Sequence, residues 1–263
     1  MPTLSGHAPG TFCWPELYTT DQNGAKAFYC GLFGWAVKDL PMGPDRAYTI
    51  FTLGDRDAAA CYGSMPEMEQ QGIPPHWMAY VAVESADQAA AKAKASGGSA
   101  LKDPFDVMGI GRMAALRDPT GAAFCVWESR GHFGVGVLDE PNALMWTELM
   151  TGDPEQAAAF YQGVFGWAAR VWPMADGSSY HVFMRGESPA GGMIKITPQM
   201  GQLPPVWVSY FQVRDCEASS SSASRLGGRT SIPPQDVPDV GRFAILVDPA
   251  GAHFGIIQPV ARG

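Results

Sequence analysis

At 263 residues, with 46% hydrophobic and 17% charged side chains, the chain has a globular composition and room for two ordinary domains. A formal net charge of -8 without a basic cluster argues against nucleic acid, whose phosphates require a Lys/Arg face, and no apolar run approaches the roughly 20 residues of a membrane span. Met1 to Gly10 lacks a basic start and an apolar stretch, so no secretory leader is expected and the cytoplasm is the default compartment. Cys13, Cys30, Cys61, Cys125 and Cys216 are odd in number and have no CxxC or zinc-type spacing. They are expected to be reduced thiols.

In chain order, Phe12 to Thr19 reads as a strand. Asp21 then opens a helix in which Ala25, Phe28 and Leu32 recur at three- and four-residue spacing, and Gly34 stops it. Ala47 to Leu53 and Ala58 to Gly63 read as hairpin strands. A strand follows at Trp77 to Val83, then an Ala/Lys helix at Asp87 to Ala95 closed by Gly97 and Gly98, then strands at Arg112 to Leu116 and Ala123 to Glu128. Gly131, Gly134, Gly136 and Pro141 mark residues 129–142 as a linker. Beyond it, Asp153 is placed as an N-cap, Pro154 suits the first helical position, Gln156 completes a capping box and Gly166 stops the helix. Strands follow at Ser179 to Met184 and Gly191 to Thr197. Taken alone, the Ser-rich run Cys216 to Leu226 resembles a linker, because serine hydroxyls compete for backbone groups.

The chain repeats itself. Trp14, Glu16, Phe28, Tyr29, Gly34 and Trp35 return as Trp146, Glu148, Phe160, Tyr161, Gly166 and Trp167, each 132 residues later. Further on, Pro74, Pro75 and Trp77 match Pro204, Pro205 and Trp207, Gly111 and Arg112 match Gly241 and Arg242, and Asp118 and Gly121 match Asp248 and Gly251, now at 130. Two residues are missing from the second copy in between. The repeat turns the Ser-rich run into a helix, since it aligns with Ala86 to Ser96 and ends in the same Gly-Gly, Gly227 and Gly228. An α+β architecture follows, with four strand-helix-three-strand modules at 11–65, 76–128, 143–197 and 206–259. These form two tandem domains, 11–128 and 143–259, with helices outside cupped mixed sheets.

Modules of this kind, with a D-P-x-G turn before the last strand of the even ones and an F-Y-x-x-L/V-F-G-W helix in the odd ones, resemble the vicinal oxygen chelate superfamily of glyoxalases, bleomycin resistance proteins and extradiol dioxygenases. The likeness spans about Thr11 to Pro259 and is greatest to two-domain actinobacterial glyoxalase-like proteins, a group that includes hydroxylase-labelled members and a mycobacterial antigen. It implies a metal-binding cup with ligands on the first and last strands of a module. At the implied positions this chain has Trp14 and Trp146, Cys125 and Gly255, and Trp77 with Met78 and Trp207 with Val208. None completes a divalent-metal set, so no metal is expected and metal-dependent lyase or dioxygenase chemistry is the third and least expected reading.

Strand alternation puts Trp14 with Glu16, Trp146 with Glu148, Cys125 with Trp127, and His253 with Gly255 and Ile257. Each half is then expected to present tryptophan beside a carboxylate in an apolar cup, a form suited to a flat ligand. Trp77 and Trp207 are candidate lining residues, with core packing as the competing reading. A glutamate among aromatics is a candidate base; the alternative is a structural carboxylate paired with Arg112 in the first half and Arg242 in the second. Cys125 reads as lining rather than nucleophile. His253 is a better acid/base candidate than His76, His132 or His181, although its counterpart is Ala123. Trp127 against Ile257, Cys125 against Gly255 and Tyr62 against Gly192 give the two cups different volumes.

The expected function is metal-independent binding of an aromatic or polycyclic metabolite, in sequestration of an antibiotic or in its biosynthesis. The alternative is a cofactor-free tailoring enzyme using Glu16 or Glu148 as base, since no G-x-G-x-x-G opens a helix after a strand and no flavin, haem or nicotinamide signature is present. The expected partner is a small aromatic molecule, not nucleic acid or membrane, with the protein a monomer or homodimer.

Overall fold

The computed structural model describes residues 4–44, 46–174, 177 and 179–260; the first three residues of the stretch read for a leader lie outside them. The first half runs β1 (Phe12–Tyr18), α1 (Gln22–Phe33), β2 (Ala36–Pro41), β3 (Ala47–Leu53), β4 (Arg56–Tyr62), the short α2 (Pro66–Gln70), β5 (His76–Ala82), α3 (Ala86–Ala95), β6 (Ser99–Val107), β7 (Gly111–Arg117) and β8 (Ala123–Ser129). The second runs β9 (Leu144–Thr151), α4 (Pro154–Phe165), β10 (Ala168–Pro173), β11 (Ser179–Arg185), β12 (Ser188–Lys195), a 3-10 turn at Pro198–Met200, β13 (Val206–Gln212), α5 (Cys216–Arg225), β14 (Arg229–Val237), β15 (Gly241–Val247) and β16 (His253–Pro259). Among the described residues no helix is long and apolar enough to cross a membrane.

Each half builds one eight-stranded mixed sheet, β2-β3-β4-β1-β5-β8-β7-β6 and β10-β11-β12-β9-β13-β16-β15-β14. The sheets therefore pair modules within a half. The helix-side cores pair them across halves. One core joins Phe28, Tyr29 and Phe33 of α1 with Phe211, Leu246, Phe254 and Ile256 of the second sheet, and the other joins Phe160, Tyr161 and Val164 of α4 with Val81, Leu116, Phe124 and Val126 of the first.

The repeated motifs explain this exchange. In each D-P-x-G turn one aspartate oxygen accepts successive backbone N–H groups, from Thr120, Gly121 and Ala122 to Asp118 and from Ala250, Gly251 and Ala252 to Asp248. The other oxygen accepts a tyrosine hydroxyl from the opposite half: Tyr161 to Asp118 at 3.0 Å and Tyr29 to Asp248 at 3.1 Å. Trp207 and Trp77 in turn donate to those tyrosines, at 2.7 and 2.9 Å. The second glycine of each Gly-Gly pair is a contact surface as well as a helix stop. A Cβ on Gly98 would meet the Phe160 ring at 2.7 Å, and one on Gly228 the Phe28 ring at 2.8 Å.

The outer strands β2, β6, β10 and β14 were not located by hydrophobic pattern. They are edge or near-edge segments with mostly exposed side chains, so neither apolar alternation nor a continuous apolar run marks them. The Ser-rich α5 does form, capped by Asp215, whose side chain accepts the Ala218 N–H at 2.8 Å. Ser220 and Ser224 return their hydroxyls to carbonyls four residues back, which satisfies the groups that would otherwise compete with the helix. The register also moves the missing two residues. Glu16 lies opposite Ala60 and Glu148 opposite Gly192, so Gly192 corresponds to Ala60, and Tyr62 to Ile194. The expected equivalence of Tyr62 and Gly192 is thereby corrected, and the loss falls in the connection after β12.

Candidate functional site

One face of each sheet, the expected cup, carries the same four side chains. In the first cup Trp14 Nε1 donates to Tyr48 Oη at 3.0 Å, Tyr48 donates to Glu16 Oε1 at 2.5 Å, and Tyr80 donates to Glu16 Oε2 at 2.6 Å. In the second, Trp146 Nε1 donates to Tyr180 Oη at 2.9 Å, Tyr210 donates to Glu148 Oε1 at 2.9 Å, and Tyr180 also hydrogen-bonds Glu148. Burial pushes both carboxyls above the ordinary carboxylate range, while the tyrosine hydroxyls act in the opposite direction by stabilising the anion. A glutamate set this way can accept a proton from an acidic substrate or hold a ligand's donor groups.

Trp14, Glu16, Cys125 and Trp127 are brought together with Tyr80 in the first cup, and Trp146 and Glu148 with Tyr210 in the second. Burial raises the Cys125 thiol well above its ordinary value, so it is not poised as a thiolate. Arg112 and Arg242 do not serve the glutamates. They sit on the helix side, pairing with Asp87 and Asp106 and with Glu217 and Asp236, because alternation turns each away from the cup and toward α3 or α5. Trp77 and Trp207 likewise leave the cup, pairing with Leu17 and Leu149 on the opposite face and donating into the cross-half tyrosines. His253 opens β16, exposed, on the Gly255 face; burial and Arg229 lower its pKa.

The tyrosines are the functional candidates that sequence reasoning missed. Tyr48 and Tyr180 recur 132 residues apart, and Tyr80 and Tyr210 recur 130 apart, the same offsets that exposed the duplication. Their repeat was visible, but their face required the register.

The cups differ in filling. Residues 131–138 of the linker return over the first one: the His132 ring meets Trp14 edge-on at 4.8 Å, the His132 carbonyl accepts Trp127 Nε1 at 2.7 Å, and Val135 and Leu138 join the apolar cluster. The Val135 and Gly136 amides bond to the Cys13 and Asp57 carbonyls, and Glu140 takes a bidentate Arg56. Trp14 and Glu16 are consequently 6% and 9% exposed. Among the described residues the second cluster consists only of side chains from its own strands, including Val208, Ile245, Ile257, Met150 and Phe243, and Trp146, Glu148 and Tyr180 are partly exposed.

The metal-ligand positions implied by the fold contain tryptophan, cysteine, glycine, methionine or valine, and among the described residues no three His, Cys, Asp or Glu side chains are grouped to hold an ion. The residues present do not fit a divalent metal.

Comparison with known proteins gives the lineage. The chain is 39% identical over 260 residues, 98% of each chain, to CFP32 of Mycobacterium tuberculosis, a proposed glyoxylase. It is 34% identical over 267 residues, 97% of this chain and 95% of the relative, to the anthracycline biosynthesis protein DnrV of Streptomyces peucetius. Among solved structures, the 2,3-dioxygenase LapB of Pseudomonas sp. KL28 superposes with a TM-score of 0.66 over 94% of this chain and 91% of its own, at 12% identity. A 4-hydroxymandelate synthase variant from Streptomyces coelicolor gives 0.62 over 98% and 95%, at 14% identity. Those two likenesses concern the fold. The profile of the glyoxalase/bleomycin resistance protein/dioxygenase superfamily matches residues 11–126 and 143–256, and the chain belongs to that superfamily.

Proposed function

We propose that the protein binds an aromatic or polycyclic small molecule in its second cup, without a metal. The observation that carries this reading is the partly exposed Trp146–Tyr180–Glu148–Tyr210 array among the apolar side chains of one sheet face. Aromatic walls accept a flat ring system, while a carboxyl and two hydroxyls fix its orientation through hydrogen bonds. The relatives named as anthracycline biosynthesis proteins support a polycyclic ligand. Five free thiols suit a reducing compartment, the cytoplasm.

Titration with an anthraquinone carboxylate, followed by quenching of tryptophan fluorescence, tests the reading. Saturable binding is expected, strongly weakened by Trp146→Ala and unaffected by Glu16→Gln. Absence of saturable binding, or binding indifferent to Trp146, would overturn it.

One observation favours a second reading, cofactor-free base catalysis. Burial holds Glu148 above the ordinary carboxylate range beside two phenols, a suitable state for removing a proton from an acidic carbon or hydroxyl. In that case Glu148→Gln abolishes turnover of an added substrate while affinity persists, whereas a binder shows no turnover to lose.

A further inference from the structure

β10 is one of the two edge strands of the second sheet, and its register places two unusual side chains. Trp172 lies opposite Tyr180, and Arg170 lies opposite Val182, which lies opposite Gly192, itself opposite Glu148. Directly opposed residues share a face of the sheet. Arg170 and Trp172 therefore project from the same face as the Trp146–Tyr180–Glu148–Tyr210 array, with Arg170 in the row of Glu148.

The first half shows where this edge leads. Leu40 occupies the position of Trp172, opposite Tyr48, and packs into the first-cup cluster, so the edge strand contributes a side chain to that cup. Trp172 carries a much larger apolar surface at the equivalent place, is 53% exposed and does not join the second-cup cluster. A large aromatic left in water on the sheet face that carries the array is the kind of surface a ligand covers. Among the described residues Arg170 has no carboxylate partner, in contrast to Arg56, Arg112 and Arg242. On a chain of net charge -8, an anionic ligand needs such a local cation.

We infer that β10 supplies the outer wall of the second cup, with Trp172 stacking on a flat aromatic ligand and Arg170 pairing with an anionic oxygen on it. The inference rests on the proposed binding role and adds the ligand's charge: a planar aromatic acid, carboxylate or acidic phenol.

Isothermal titration calorimetry of the full chain with an anthraquinone carboxylate and with its methyl ester separates the parts. Trp172→Ala is expected to weaken both probes by about tenfold, the loss of one aromatic stacking face. Arg170→Gln is expected to weaken the carboxylate by about tenfold and leave the ester unchanged. Wild-type binding indifferent to both substitutions would overturn the wall while leaving the cup reading intact. Failure of wild type to bind either probe would overturn both. If Trp172→Ala shifts a monomer–dimer equilibrium in sedimentation and leaves probe affinity unchanged, the strand is a self-association edge and the inference fails.

Discussion

The two cups contain the same polar machinery in different surroundings. Glu16 accepts two tyrosine hydroxyls beneath a tryptophan, as Glu148 does, yet the linker closes over one and leaves the other partly open. Duplication preserved the hydrogen-bonded array, because each member satisfies another that would be costly to bury alone. The surroundings then diverged. Ala60 and Cys125 pack against the first array, while Gly192 and Gly255 leave space that Tyr180, Trp146 and the Tyr210 ring fill in the second.

Where the halves exchange helices they have not diverged, and the largest effects are expected there. Tyr29→Phe removes the hydroxyl that accepts from Trp77 and donates to Asp248; Tyr161→Phe does the same to Trp207 and Asp118. Each leaves two buried polar groups without that partner and is expected to cost about 2–4 kcal/mol. Urea midpoints of the two variants should agree closely. A marked difference would show that the pseudo-symmetry of the cores is only geometric.

Gly134→Ala attacks the linker alone. At a φ of +117° the added Cβ would lie 2.2 Å from the Cys13 carbonyl oxygen, so the segment must lift, at about 1–3 kcal/mol. The first cup should come to resemble the second, and acrylamide should quench Trp14 more readily. Unchanged quenching would mean that Val135 and Leu138 hold the cover without this contact. The reverse conversion is Gly192→Ala, which installs the first half's residue. Its Cβ would meet Tyr180 Oη at 1.9 Å and Trp146 Nε1 at 2.7 Å, displacing the array and weakening anthraquinone carboxylate binding by about tenfold. Calorimetry showing wild-type affinity would place the ligand away from Tyr180.

The repeat made the fold legible because its offset passed through loops that local pattern could not read. It recovered α5 from a run of serines and implied four modules, although β2 and β6 left too little apolar periodicity to be located. For the site, alternation correctly joined Trp14 to Glu16. The same rule, applied without register, left Trp77 and Arg112 in a cup that they face away from. Whether a buried carboxylate is satisfied by arginine or by tyrosine depends on which strands become neighbours. The duplication repeats Tyr48 as Tyr180, but a repeated tyrosine does not reveal its partners.

The smallest expected effect is a slope. Burial raises the Glu16 carboxyl above its ordinary value of 4.5, more than its tyrosine hydrogen bonds lower it. The native state therefore keeps this proton to a higher pH than the unfolded chain does, so between the two values the native state binds more protons and stability falls as pH rises. The contribution is complete below the unfolded value and is lost as pH climbs through the folded one, with a maximum slope of about 1.4 kcal/mol per pH unit. Asp39, Asp87 and Glu140, held low mainly by Lys26, Arg112 and Arg56, act with the opposite sign, so the wild-type curve alone does not isolate Glu16. Subtracting the Glu16→Gln curve does. The difference should decline with rising pH above 4.5, and the Glu148→Gln difference should decline in the same direction, because burial is the largest cause of the upward shift on both carboxyls. Parallel curves for wild type and Glu16→Gln would show that Glu16 titrates alike folded and unfolded.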